Sequence, residues 1–142
     1  MLYTEQTKKA LKLCFEAHQH QVDKSGMPYV FHPFHLAEQM TSEETVTAAL
    51  LHDVVEDTPY ALEDLQNMGF SESVLEAVSL LTHDQHVNYM EYILHIKQNP
   101  IAKAVKLADL QHNSDLSRLD KIDDRALKRT EKYQKAIKLL TE

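Results

Sequence analysis

The chain has 142 residues, 43% of them hydrophobic and 26% charged, with a formal net charge of −7. That balance suits one folded domain over residues 1–142 and argues against a nucleic-acid backbone as the main partner. The single cysteine, Cys14, excludes an intramolecular disulfide and a cysteine-based zinc cage, and no apolar run reaches the ~20 residues of a membrane span.

The opening Met1-Leu2-Tyr3-Thr4-Glu5 lacks the pattern of a signal peptide, so the expected location is cytoplasmic. With only 2 glycines and 4 prolines, and no lasting strand-like alternation, the chain is expected to be helical throughout. Leu2, Leu11, Phe15 and His18 have near-helical spacing and predict a first helix over 3–20. Lys24-Ser25-Gly26-Met27-Pro28-Tyr29 marks a loop within 21–31, and a short helix is expected to follow Pro33. Thr41 and Glu44 have capping-box spacing ahead of the apolar run Val46 to Val55, which predicts a buried helix. Thr58-Pro59 and Asn99-Pro100 each read as a cap followed by a first-turn proline. Gly69 closes a helix near 60–68, and Ser71 starts another that runs to about Leu81. Further helices are expected over 86–97, 100–117 and 122–140. The expected fold is all-α: a compact bundle of seven or eight short helices.

The run Leu50 to Thr58 concentrates titratable groups at the end of an apolar helix. His52 and Glu56 are four residues apart, as are Asp53 and Asp57, so each pair shares a helix face. Carboxylates at such a site need a compensating cation. His32, between Phe31 and Pro33, and Asp109, within Lys106-Leu107-Ala108-Asp109, supply two more donors. Two imidazoles and two carboxylates suit a divalent ion such as Mn²⁺, Zn²⁺ or Fe²⁺. The second His-Asp pair, His83-Asp84, stands where the apolar pattern stops and is expected to be a solvated turn. His18, His20, His35, His86 and His95 are expected at the surface or the edge of the core. His112, one turn beyond Asp109, is expected to orient that carboxylate or a phosphate. Residues 1–117 hold 7 Lys/Arg against 17 Asp/Glu, whereas 118–142 hold 8 against 5. Lys121, Arg125, Lys128, Lys132 and Lys135 would form either a solvated face or a positive rim for phosphates.

Several ordered blocks resemble the HD superfamily of metal-dependent phosphohydrolases, within it the hydrolase domain of Rel/SpoT-type alarmone enzymes and their small stand-alone relatives. They are Ala17-His18, Gln21, Lys24-Ser25-Gly26 with Pro28-Tyr29, His32-Pro33, Ala49 to Thr58, Thr82, and Lys106 to Asp109 with His112-Asn113. The resemblance implies that His32, His52, Asp53 and Asp109 hold one Mn²⁺. It implies that Glu56 and Asp57 orient or deprotonate the attacking water, and that Lys24, Ser25 and Asn113 touch a phosphorylated nucleotide. The implied reaction removes pyrophosphate from the 3′ side of guanosine 3′,5′-bis(diphosphate). Around the substrate the chain departs from that pattern: Asp23 and Leu110 stand where the family carries arginines, and Ser114-Asp115-Leu116 follows Asn113. Asp23 would repel a phosphate. Two other readings stay open, a nucleotidase or phosphodiesterase for another nucleotide and a non-catalytic nucleotide-binding regulatory module; the oligomeric state is open too.

Overall fold

A computed structural model describes residues 1–142. Nine α-helices follow one another: α1 Glu5–His18, α2 Phe31–Glu38, α3 Glu43–Leu51, α4 Val54–Asp57, α5 Leu62–Asn67, α6 Glu72–Leu81, α7 Tyr89–Lys97, α8 Pro100–Asn113 and α9 Asp124–Thr141. A 3₁₀ turn, Leu116–Arg118, lies between α8 and α9. The all-α expectation holds. The ninth helix arises because the run predicted over Val46–Val55 leaves helical geometry at Asp53, dividing it into α3 and the single turn α4.

Local chemistry explains most boundaries. The Thr4 side chain accepts from the Thr7 amide at 3.2 Å and starts α1. In α3 the cap is Ser42 paired with Thr45, one residue beyond the expected Thr41–Glu44 box, because Ser42 is the residue in extended conformation. Asn99 caps α8 with Pro100 in its first turn, as expected. Pro59 instead lies outside any helix: Thr58 closes α4 through its hydroxyl on the Val54 carbonyl, and α5 begins only at Leu62. Pro33 is the third residue of α2, within the first turn, where a missing N–H leaves no helical bond unmade. Gly69, at φ +87°, turns the chain out of α5. The helix expected to 117 ends at Asn113, since the Asp115 carboxylate accepts from the Ser117 amide and folds the next residues into the 3₁₀ turn.

The buried face of α1 is Thr7, Ala10, Leu13, Cys14 and His18, whereas Leu2 and Phe15 are exposed. Helix α3 forms the centre, with Val46 through Leu51 all buried against α1, α2, α6 and α8. Fully burying side chains such as Leu36, Leu50, Leu51 and Ile93 contributes roughly 1.5–3 kcal/mol each. Helix α9 lays Ala126, Ala136 and Leu140 over α7 and α8 and leaves a cleft beside its first two turns. No helix is long and apolar enough to cross a membrane.

Candidate metal centre

At the break between α3 and α4, His52 Nε2 lies 3.0 Å from Asp53 Oδ2. His32, from the first turn of α2, and Asp109, from α8, converge with His52, whereas the Asp53 carboxylate groups with the rim acids Glu56 and Asp57. His32 Nε2 lies 2.9 Å from Asp109 Oδ1, and His52 Nε2 lies 3.7 Å from that oxygen. His32, His52 and Asp109 are buried, and their donor atoms lie within 4.8 Å of one another.

The donors fit a divalent ion. His52 Nδ1 lies 2.6 Å from the Ala49 carbonyl, so Nδ1 holds the proton and Nε2 presents a lone pair. That Nε2 is buried and makes no hydrogen bond, although Asp53 Oδ2 stands 3.0 Å away. Two acceptors face each other in a largely buried site, which calls for a cation between them. A proton can serve: burial opposes the charge on His52, but Asp53 and Asp109 overcome it and hold the imidazole pKa well above the usual histidine range. A divalent ion with mixed nitrogen and oxygen ligands serves better, and releases that proton on binding.

Around these donors the structure adds residues to which the sequence assigned no clear part. Lys106 Nζ reaches Asp109 Oδ2 at 2.9 Å and sits over the Tyr92 ring at 5.3 Å. Burial alone would raise the Asp109 pKa, but Lys106, with His32 and His52, holds it well below the usual carboxylate range. Removing one partner of a buried pair leaves an uncompensated charge. Lys106→Met is therefore expected to lower metal-free stability by about 3 kcal/mol, read as a fall in melting temperature. The Tyr29 hydroxyl donates to Asp53 Oδ2. Gln21 donates to the Asp57 carbonyl at 2.9 Å, tying α4 to the end of α1, and its Oε1 lies 2.7 Å from His18 Nδ1. His18 itself is buried in the core rather than at the surface or the core's edge.

Glu56 and Asp57 stand exposed at the rim, and their carboxylates cluster with that of Asp53 within 4.8 Å. Glu56 Oε1 accepts from the His83 amide at 2.6 Å. The solvated-turn expectation for His83-Asp84 therefore fails for His83: its ring packs on Tyr92 at 4.5 Å and its Nε2 lies 2.9 Å from the Val87 carbonyl. Burial, then the charges of Asp53 and Glu56, push the Asp57 carboxyl up to about 6. His112 also departs from expectation. Asn113, not His112, touches Asp109, with Nδ2 3.0 Å from Oδ1, while His112 meets His32. Burial and the Arg118 charge push its imidazole down to about 4.

A cleft of about 280 Å³ opens from this centre, with Tyr29, His32 and Asn113 at its inner end and Lys24 and Ser25 on its loop wall. Lys24 is exposed at the mouth, whereas the Ser25 hydroxyl donates to the Arg118 carbonyl at 2.8 Å and binds the loop to the 3₁₀ turn. Asp23 is not a bare charge facing a ligand. Its Oδ1 accepts from the Ser25 and Met27 amides at 2.9 and 3.0 Å, and its Oδ2 lies 3.7 Å from an Arg118 nitrogen. Of the basic residues after 117, the cleft takes Arg118 and Arg129. Lys121, Arg125, Lys128 and Lys135 are exposed outside it, and Lys132 covers the Tyr89 ring at 4.0 Å. Arg129 was legible in principle, because Ala126, Arg129, Thr130 and Tyr133 share a face of α9. Arg118, in an aperiodic segment, carried no such signal.

A family model described as HD domain matches residues 10–112, a span that includes all four donors and both rim acids. The chain belongs to the HD domain family. Human guanosine-3′,5′-bis(diphosphate) 3′-pyrophosphohydrolase MESH1 is 38% identical over 112 residues, covering 70% of this chain and 62% of that protein. The bifunctional (p)ppGpp synthase/hydrolase SpoT of Escherichia coli K12 is 35% identical over 121 residues, covering 75% of this chain and 17% of that protein. The chain thus spans about a sixth of that relative's length. Among solved structures, one described as a metazoan ortholog of SpoT that hydrolyzes ppGpp superimposes with a TM-score of 0.78 at 26% identity, over 99% of this chain and 88% of that one. The HD domain chain lacks any sequence match to its family model beyond 112, where Arg118 and Arg129 complete the cleft.

Proposed function

We propose that this HD domain chain is a metal-dependent phosphohydrolase that removes pyrophosphate from the 3′ side of guanosine 3′,5′-bis(diphosphate). In this reading His32, His52, Asp53 and Asp109 hold one divalent ion, Mn²⁺ before Zn²⁺ or Fe²⁺, and Glu56 and Asp57 act on the attacking water. One observation carries it: a buried His52 Nε2 without a hydrogen bond, facing Asp53 and converging with His32 and Asp109, next to a cleft that His32 also lines and that carries Lys24, Arg118 and Arg129. The activities named for the human and bacterial relatives support the choice of substrate.

When bound, the ion lowers the pKa of water and draws charge from a phosphoryl oxygen. Asp57 or Glu56 accepts the proton as water attacks the phosphorus next to the ribose 3′ oxygen. That phosphorus–oxygen bond breaks, pyrophosphate leaves with the water oxygen, and the ribose oxygen takes up a proton. The His83 amide fixes Glu56, and Gln21 fixes the turn that carries Asp57. Lys24, Arg118 and Arg129 offset the substrate's negative charge along the cleft, and Asn113 stands between its inner end and Asp109.

The test is to incubate Mn²⁺-loaded protein with a nucleotide panel that includes the guanosine alarmone, and to follow pyrophosphate release. Release from the alarmone supports the proposal. Turnover confined to other nucleotides makes the chain a nucleotidase or phosphodiesterase, and binding without turnover makes it a regulatory module.

A further inference from the structure

His32 has two ring nitrogens, and the metal centre uses one. Its Nε2 faces Asp109 Oδ1 and the point where the donors converge. A histidine nitrogen that ligates a metal must be free of its proton, so the neutral ring then carries the proton on Nδ1. That N–H needs an acceptor. The atom beside it is His112 Nδ1, 2.7 Å away.

The geometry of the two rings decides what this contact is. They are within 6° of parallel, with centroids 5.0 Å apart. Rings stacked face to face are separated by about 3.5 Å, so a stack cannot bring two nitrogens to 2.7 Å. The imidazoles lie edge to edge in nearly one plane, the arrangement of an N–H···N hydrogen bond. His112 is held there from two sides: Arg118 donates to its carbonyl at 2.9 Å, and the His35 ring lies against it with centroids 4.2 Å apart. The other histidine of the centre is set differently, since His52 Nδ1 meets a main-chain carbonyl.

We propose that His112 is a positioning residue: its Nδ1 lone pair accepts from His32 Nδ1–H, fixing the tautomer and ring angle that aim His32 Nε2 at the metal. This rests on the reading of His32 as a metal ligand. It requires His112 to be neutral with its own proton on Nε2. Partners of this kind, one bond removed from the metal, typically change metal affinity by about 10–100-fold when lost.

Asparagine and leucine have the same branched outline, and only asparagine offers an acceptor where His112 Nδ1 stands. Calorimetric Mn²⁺ titration of the full chain is expected to show His112→Leu binding about 10–100-fold more weakly than wild type, with His112→Asn recovering most of the loss. A structural role alone would weaken both variants alike, and equal Kd values for the two would overturn the proposal. So would wild-type affinity in His112→Leu. A second measurement needs no variant. In Zn²⁺-loaded wild type, long-range ¹H–¹⁵N spectra are expected to place the proton of His32 on Nδ1 and that of His112 on Nε2; the opposite assignment for His32 refutes the proposal. His52→Ala separates the two readings. If it binds Mn²⁺ like wild type, the metal centre itself is wrong; if it loses Mn²⁺ while His112→Leu does not, only the role of His112 falls.

Discussion

His52→Ala is expected to abolish bound metal and hydrolysis together, with Mn²⁺ content falling to background by elemental analysis. The substitution removes the nitrogen that faces both Asp53 and Asp109, at 3.0 and 3.7 Å. It leaves those carboxylates close together with one imidazole fewer between them, and like charges in a dry site repel strongly. His83→Ala is the matched control. The His83 ring touches Tyr92 and the Val87 carbonyl, but its link to Glu56 runs through the main-chain amide, which alanine retains. Metal content should therefore stay at the wild-type level, with a stability loss of about 1 kcal/mol from the lost hydrogen bond. Chelation should lower the melting temperature of the wild type but not of His52→Ala. An ion at 100 times its Kd stabilises the native state by about 2.7 kcal/mol. Full metal occupancy in His52→Ala would refute the assigned ligand set.

The donors themselves were legible in the sequence because each breaks an apolar pattern. His52 and Asp53 end the run from Val46, and Asp109 interrupts the apolar face of α8. The break at Asp53 was not legible, since no glycine or proline marks it. Contacts from distant segments meet the chain there: the Tyr29 hydroxyl donates to Asp53, and Gln21 donates to the Asp57 carbonyl. Caps displaced by one to three residues, at Ser42 and before α5, reflect competition among several side chains able to cap. Asp23 shows the other kind of gap. Read alone it is a negative charge in a phosphate-binding loop, yet its oxygens shape the loop and meet Arg118, a residue 95 positions away. An arginine at position 23 would remove two backbone hydrogen bonds before it could touch a ligand. Pairings across such sequence distances leave no periodic trace.

Asp57→Asn is expected to keep its metal and lose turnover, with kcat reduced roughly 10²–10⁴-fold, because an amide cannot take the proton of water. Glu56→Gln should follow the same pattern. The wild-type pH profile supplies an independent mark. In the metal-free protein the Asp57 carboxyl stands at about 6 rather than 3.8; a divalent ion beside it would draw that value down, so kcat/KM of the loaded enzyme should fall with pH only below about 6. The same shift has an opposite consequence for folding. A carboxyl whose pKa is raised in the folded state binds its proton more tightly there than in the unfolded chain. Its stabilising contribution is therefore complete below the ordinary carboxylate value and is lost as pH rises through the folded one. Asp57 is exposed at the rim, so solvent screening trims the effect. Without metal, Asp57→Asn should melt a few degrees above wild type at pH 7–8, and the gap should close towards pH 4. A variant both inactive and more stable cannot owe its inactivity to unfolding. Unchanged kcat, or a kcat loss accompanied by a lower melting temperature, would reduce Asp57 to a surface acid of the α4 turn.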